Sequence, residues 1–224
     1  GHFVATCFDF AGKVVLVTGA TRGIGRALAD GFARNGASIA LVARDRRDLD
    51  AARGEIAALT ADVESFAADV SHVSDIETMV AAVEERFGKI DVLVNSAGVA
   101  GFEPTQKATE SNWDRVINTN LKGTFFCTSR VAKGMLERRS GAIVNIASEE
   151  GIVGIPEHAL YCASKAGVIQ MTKAVATEWG KFGIRVNCIA PAAVRTRLNE
   201  SYWLENEEKY DWVTNRIPLG RVSE

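Results

Sequence analysis

Along this chain, short unbroken apolar runs alternate with stretches in which apolar residues recur every three or four positions. Lys13–Thr18 (KVVLVT), Ala37–Ala43 (ASIALVA), Glu64–Asp69, Asp91–Asn95 (DVLVN), Gly141–Ala147 (GAIVNIA) and Arg185–Ala190 are of the first kind. Continuous rather than alternating hydrophobicity predicts strands buried on both faces. Arg26–Asn35, Asp45–Leu59, Ser74–Phe87, one long helix over Trp113–Leu136 and a second over His158–Phe182 carry the helical period. Gly36 is expected to cap the first helix and Gly88 follows the third. Strand and helix alternate with short connections, which predicts an α/β fold. Its doubly wound parallel sheet is of Rossmann type, with helices on both faces. No linker or repeat divides the chain, so residues 1–224 are read as one domain. Residues 192–222 break the alternation and are expected to form a helical substrate lid within it.

Composition narrows the possibilities mostly by exclusion. A chain of 224 residues, 47% hydrophobic and 24% charged, is ordinary for a globular domain. A net charge of -2 gives no electrostatic case for nucleic acid or an anionic membrane as partner. No apolar run approaches the ~18 residues of a membrane span. Cys7, Cys127, Cys162 and Cys188 are scattered with no CxxC, as in reduced cytoplasmic proteins. His2, His72 and His158 have no metal-ligand spacing, so no metal site is expected.

Chemistry enters where strands end. The first strand runs straight into Gly19-Ala20-Thr21-Arg22-Gly23-Ile24-Gly25, which opens a helix. Glycines there let the backbone approach a pyrophosphate, and free N–H groups at a helix start face the anion. Thr21, Asp69, Asn95-Ser96-Ala97-Gly98, Ser148 and Pro191-Ala192 all fall at or just past a strand's carboxyl end. Ligands of a doubly wound sheet sit beyond those ends. On the second long helix, Tyr161 and Lys165 lie one turn apart on one face. A phenol titrates near ~10, and an ammonium beside it is expected to lower that value towards a useful range.

These motifs together resemble the short-chain dehydrogenase/reductases over nearly the whole chain. They are Thr18-Gly19-x3-Gly23-Ile24-Gly25, Asp69-Val70, Asn95-x-Ala97-Gly98, Asn120, Ser148, Tyr161-x3-Lys165 and the run from Arg185 to Pro191. The pattern around Asn120 and Tyr161 is similar to the gluconate/polyol dehydrogenase and oxoacyl-reductase branches. The resemblance implies hydride transfer between a nicotinamide and a carbonyl or secondary alcohol. In that scheme Tyr161 is the acid/base and Ser148 bonds the substrate oxygen. Lys165 tunes Tyr161 and binds the nicotinamide ribose, and Asn120 holds a water that passes protons to Lys165. Asp69 would meet the adenine, and Thr196, beyond Pro191 and Val194, the nicotinamide carboxamide. The resemblance also implies a dimer or tetramer through the two long helices. Phe125, Phe126, Val131 and Met135 on one, and Val168, Met171, Val175 and Trp179 on the other, exceed what one sheet-facing side needs.

The chain departs from the family pattern in three places. Ser96 stands where a second Asn is usual, and Ala192 where Gly is commonest. The family continues past Glu224 through a further helix and a C-terminal strand missing from the chain as given, so six strands are expected. At the end of the second strand Ala43 replaces the carboxylate that would accept from an NAD ribose. Arg44 and Arg22 could instead converge on a 2′-phosphate, so NADP(H) is expected over NAD(H). Lys133 suits docking of an acyl carrier protein, but Thr177 occupies the usual second basic position and Glu149-Glu150 flank Ser148. A free small-molecule alcohol or ketone is the expected substrate, in a pocket of Phe102, Val153, Ile155, Tyr202 and Trp203. A non-catalytic NADP-binding regulator and a sugar-nucleotide epimerase or dehydratase are the alternatives. The first would not need the full set of acid/base residues, and the second usually spaces its glycines differently.

Overall fold

The structure, a computed structural model, describes residues 8–60, 62–196 and 207–223. Six parallel strands form one sheet: β1 Val14–Thr18, β2 Ser38–Ala43, β3 Val63–Ala67, β4 Val92–Asn95, β5 Gly141–Ile146 and β6 Ile184–Ile189. Their order is β3-β2-β1-β4-β5-β6. The direction of winding reverses between β1 and β4, so their carboxyl ends flank a crevice. Helices α1 (Gly23–Arg34), α2 (Arg46–Ile56), α3 (Val73–Phe87), α4 (Glu110–Ile117), α5 (Thr124–Arg138) and α6 (Ala159–Trp179) fill the connections, and α7 (Glu207–Thr214) follows the sheet.

The apolar runs divide their side chains between two cores. Val15, Val17, Ile39 and Leu41 pack with Ala29 and Ala33 of α1 and Leu49, Ala52 and Ile56 of α2. Leu16, Ala40, Leu93 and Ile143 face the other way, against Ile76 and Val80 of α3, Val131 and Met135 of α5, and Val175 of α6. Period-two alternation with both faces buried is why the strands read as unbroken apolar runs.

The expected single helix over Trp113–Leu136 is in fact α4, a six-residue π-turn over Asn118–Gly123, and α5. The helix also starts earlier, because Thr109 caps it by accepting from the Asn112 amide at 3.1 Å. The wide turn is held by a contact with a residue outside the helix. Asn120 turns its amide to the β4–α4 loop, accepting from Val99 N–H at 2.8 Å and donating to Val99 C=O at 3.0 Å. An inserted residue of this kind is a familiar accompaniment of functional positions in helices. The second long helix ends at Trp179, and Gly180–Phe182 form a 3₁₀ turn. Asn35 is the C-cap of α1, and Gly36, with φ +88°, is the left-handed residue after it.

Of the expected lid over 192–222, residues 192–196 and 207–223 are described. Their two ends are joined: Val194 bridges Ser223, Arg195 N–H donates to Ser223 C=O at 2.8 Å, and Ser223 N–H to Ala193 C=O at 2.9 Å. Tyr210, Val213 and Ile217 pack on Ala193 and Val222 beside that joint.

Candidate active site

A cleft of about 540 Å³ lies over the carboxyl ends of the strands, at the β1–β4 switch point. Gly19, Thr21, Arg22, Gly23 and Ile24 line it on one side and Arg44, Asp69 and Val70 at one end. Ala97, Gly98, Ser148, Tyr161, Lys165, Pro191, Val194 and Thr196 complete the lining, with Trp212 and Val213 of α7 above.

The glycine turn is shaped for close approach. Gly19 has φ +66°, and a Cβ there would lie 2.9 Å from the Ala97 backbone. A Cβ at Gly25 would lie 2.3 Å from the Gly19 carbonyl oxygen, so strand and helix meet with no room for a side chain. Gly25 therefore serves the turn from behind and is not a cleft residue, contrary to expectation. Arg22, the N-cap of α1, makes no side-chain cap, which leaves the first amides of α1 to a ligand. The glycine cradle, those amides and the cleft fit a dinucleotide pyrophosphate.

At the other end, Tyr161, Lys165 and Ser148 are 8%, 5% and 9% exposed. Ser148 lies two residues past β5 and accepts from the Glu150 amide at 3.2 Å. Lys165 Nζ donates to Ile146 C=O at 2.9 Å and lies 5.6 Å from the centre of the Tyr161 ring. Burial pushes the Lys165 ammonium down to about 8, against smaller upward effects of Cys188 and Glu150. The Tyr161 phenol is pushed up, first by burial and then by Glu150, while its hydrogen bond with Ser148 acts the other way. This reverses the expected direction. Desolvation of the phenolate outweighs any help from an ammonium that is itself deeply buried.

Asn120 sits under the cleft, with Nδ2 also donating to Ser164 Oγ at 3.1 Å. A Cβ at Gly98 would lie 3.4 Å from Asn120 Oδ1 and 3.6 Å from Lys165 Nζ, ordinary contact distances, so both groups border the Gly98 backbone. Asn95, expected at the cofactor, is buried below it. Its Nδ2 donates to Thr128 Oγ1 at 3.0 Å and Asn145 Oδ1 at 2.9 Å, and Asn145 donates on to Thr172 Oγ1. These amides pair across β4 and β5 in register and tie both strands to α5 and α6. Val153 is 51% exposed and outside the cleft, because the turn after Ser148 points it to solvent. Phe102 and Ile155 do line the cleft, while Tyr202 and Trp203 lie outside the described residues.

Two features were missed in the sequence. Glu150 Oε2 lies 2.8 Å from His158 Nδ1 in a largely buried pair, and His158 stacks on Phe102 at 3.8 Å between centroids. Nothing in the spacing of Glu150 and His158 announced this contact. The Asn95–Asn145 network did leave a signal, an Asn inside the otherwise apolar run GAIVNIA. At the far end, burial alone would raise the Asp69 carboxyl, but hydrogen bonds from Ser71 and the field of Arg44 hold it below the carboxylate range. Arg44 meets Asp69 at 3.9 Å. Asp45, next to Arg44 in the chain, caps α2 by accepting from the amides of Arg47 and Asp48.

The short chain dehydrogenase family model matches residues 13–207. This chain is a short-chain dehydrogenase. It is 42% identical to the D-threitol dehydrogenase of Mycolicibacterium smegmatis over 96% of this chain and 83% of that one. With the gluconate 5-dehydrogenase of Gluconobacter oxydans the identity is 37%, with the same coverage of each. Among solved structures, an actinorhodin polyketide ketoreductase with NADPH superposes with a TM-score of 0.89 at 40% identity, covering 95% of this chain and 85% of that one. An NAD⁺-bound xylitol dehydrogenase gives 0.91 at 31%, covering 96% and 88%. The six-stranded Rossmann-type sheet is thus that of the family. The dehydrogenase is an NAD(P)-dependent oxidoreductase acting on alcohol and ketone groups.

Proposed function

We propose that this dehydrogenase reduces a small ketone or oxidises the matching secondary alcohol with NADP(H), using Tyr161 as acid/base. The observation that carries the reading is the gathering of Tyr161, Ser148 and Lys165, nearly closed to solvent, at one end of a cleft whose other end is a glycine cradle. The nicotinamide, when bound, supplies or takes the hydride. Gly19, Thr21, Arg22, Gly23 and Ile24 would hold the pyrophosphate, with Gly25 keeping the turn tight. Asp69 and Val70 would lie at the adenine, Ala97 and Gly98 along the dinucleotide, and Pro191, Val194 and Thr196 at the carboxamide. Tyr161 gives its proton to the oxygen of the ketone on reduction and recovers it on oxidation. Its raised pKa keeps the phenol protonated and able to donate. Ser148, already bonded to Tyr161, offers its hydroxyl to the same oxygen. Lys165, with a pKa of about 8, can pass a proton near neutrality and return it from a water on the remaining lone pair of Asn120 Oδ1.

The cofactor preference rests on Ala43, which can accept nothing, and on Arg22 and Arg44 lining the cleft beside it. The solved relatives hold both kinds of nicotinamide, so that preference is a property to be measured on this chain. A lid role for the stretch 192–222 within the single domain is supported by its described residues Trp212 and Val213, which line the cleft. Val131, Met135, Val168 and Val175 are taken up in the interior, whereas Trp113 and Phe125 are exposed. A homodimer or homotetramer would cover those two rings. A cytoplasmic setting suits the unpaired thiols of Cys127, Cys162 and Cys188.

Tyr161→Phe is the direct test, since it keeps the ring and removes the proton donor. With NADPH and a ketone panel, kcat should fall by ~10²–10⁴ while NADPH affinity by fluorescence titration stays within about twofold. Turnover near that of the parent enzyme would reject Tyr161 as the acid.

A further inference from the structure

The two ends of the cleft differ in which charged groups face them. At the cofactor end Arg22 and Arg44 stand among Asp45, Asp48 and Asp69. Among the described residues, the titratable groups lining the reacting end are Glu149, Glu150, His158, Tyr161 and Lys165. Lys165 is covered and donates to Ile146 C=O, and His158 is held at 2.8 Å by Glu150. That leaves two adjacent carboxyl groups on the turn that follows Ser148, both bordering the space where a substrate must lie. They already feel one another: burial first and Glu150 second push the Glu149 carboxyl above its ordinary range. A third carboxylate in the same space meets further repulsion in a medium that screens charge less than water does. Hydroxyl groups, in contrast, find strong acceptors in both.

The printed relatives do not decide this point, since D-threitol is uncharged and gluconate is an anion. We infer that Glu149 and Glu150 are specificity-determining residues that select an uncharged, hydroxyl-rich substrate, a polyol or its ketone, and refuse sugar acids. The inference rests on the oxidoreductase reading above and deepens it by naming the charge class of the substrate. Glu149 acts directly through its carboxylate, and Glu150 acts both through its own charge and by holding His158 away from an incoming anion.

Matched pairs that share a carbon skeleton test it: D-threitol with threonate, and glucitol with gluconate. Initial rates with NADP⁺ and with NAD⁺ should give a kcat/KM at least about tenfold higher for the polyol of a pair. In Glu149→Gln the polyol-to-acid ratio should fall by about threefold or more, which corresponds to a fraction of the interaction between two partly screened charges. The ratio is taken within one preparation, so partial loss of folded enzyme cancels. Glu150→Gln should shift the ratio in the same direction. Equal rates for polyol and acid, faster oxidation of the acids, or a ratio unmoved by Glu149→Gln would overturn the inference while leaving the oxidoreductase reading intact. No turnover of any member of either pair, or of the corresponding ketones with NADPH and NADH, would overturn the inference, and only a failure across the wider ketone panel would count against the proposed role of Tyr161 as well.

Discussion

At the reacting end of the cleft, Tyr161, Ser148 and Lys165 are almost completely covered, while at the cofactor end the Arg44 side chain is 63% exposed and pairs at 3.9 Å with Asp69. The first group is fixed by strand ends, by α6 and by the carbonyl of Ile146; the second projects from loops. Burial is what shifts the titrations of Tyr161 and Lys165, and it fixes their geometry. Exposure is what makes the charges around Arg44 weak singly and easily exchanged. Chemistry in this enzyme is therefore assigned to the rigid, poorly solvated end, and the choice of cofactor to the solvated one.

Three variants sharpen that contrast. The largest effect is expected at the buried end, from Lys165→Met. Activity should fall by ~10²-fold or more, since the proton path and the charge beside Tyr161 are both lost. Stability should move the opposite way. The folded pKa of Lys165, about 8, lies below the 10.5 of a free lysine, so at neutral pH the ammonium is charged in both states and destabilises the fold. Between those two values the unfolded chain binds more protons, so the parent enzyme gains stability as pH rises. Lys165→Met should accordingly be more stable at pH 7, by up to roughly 3 kcal/mol less the lost hydrogen bond to Ile146, and the gap should close as pH rises past 8. Urea midpoints from pH 7 upward measure it, and a gap that widens with pH would contradict the sign.

A smaller change is expected at the exposed end. The enzyme should prefer NADPH over NADH by at least about tenfold in kcat/KM, since a charged hydrogen bond contributes ~1.5–3 kcal/mol. Ala43→Asp with Arg44→Ala should reverse the order, and equal values in the parent would show that these arginines read no phosphate. The smallest change is expected from Asp69→Asn, which releases Arg44 from its ion pair. An exposed pair of this kind is worth ~0.2–1 kcal/mol. The NADPH-to-NADH ratio should rise, though by no more than about fivefold, even if the loss of an adenine contact raises both KM values. A ratio that falls would show that Asp69 positions Arg44 rather than competing for it.

The strands were legible because both their faces are buried, so Leu16 and its neighbours Val15 and Val17 are all apolar although they point to opposite cores. The glycine turn was legible too, since Gly19 and Gly25 stand where no side chain fits. The break between α4 and α5 was not, because the apolar period runs on through it. Only the contact of Asn120 with Val99, 21 positions away, opens the turn.

For the site, the chain by itself determined which groups were available: a phenol and an ammonium one helical turn apart, a hydroxyl just past a strand, and Ala43 rather than a carboxylate at the last position of β2. Local spacing is enough for that, because neighbours on one helix or one strand end are fixed by backbone geometry. Tertiary structure alone decided how those groups titrate, that Asn95 faces Asn145 rather than the cofactor, and that Glu150 meets His158 beside Tyr161. Each of these depends on desolvation or on contact between separate elements, and neither is encoded in the spacing of residues along the chain.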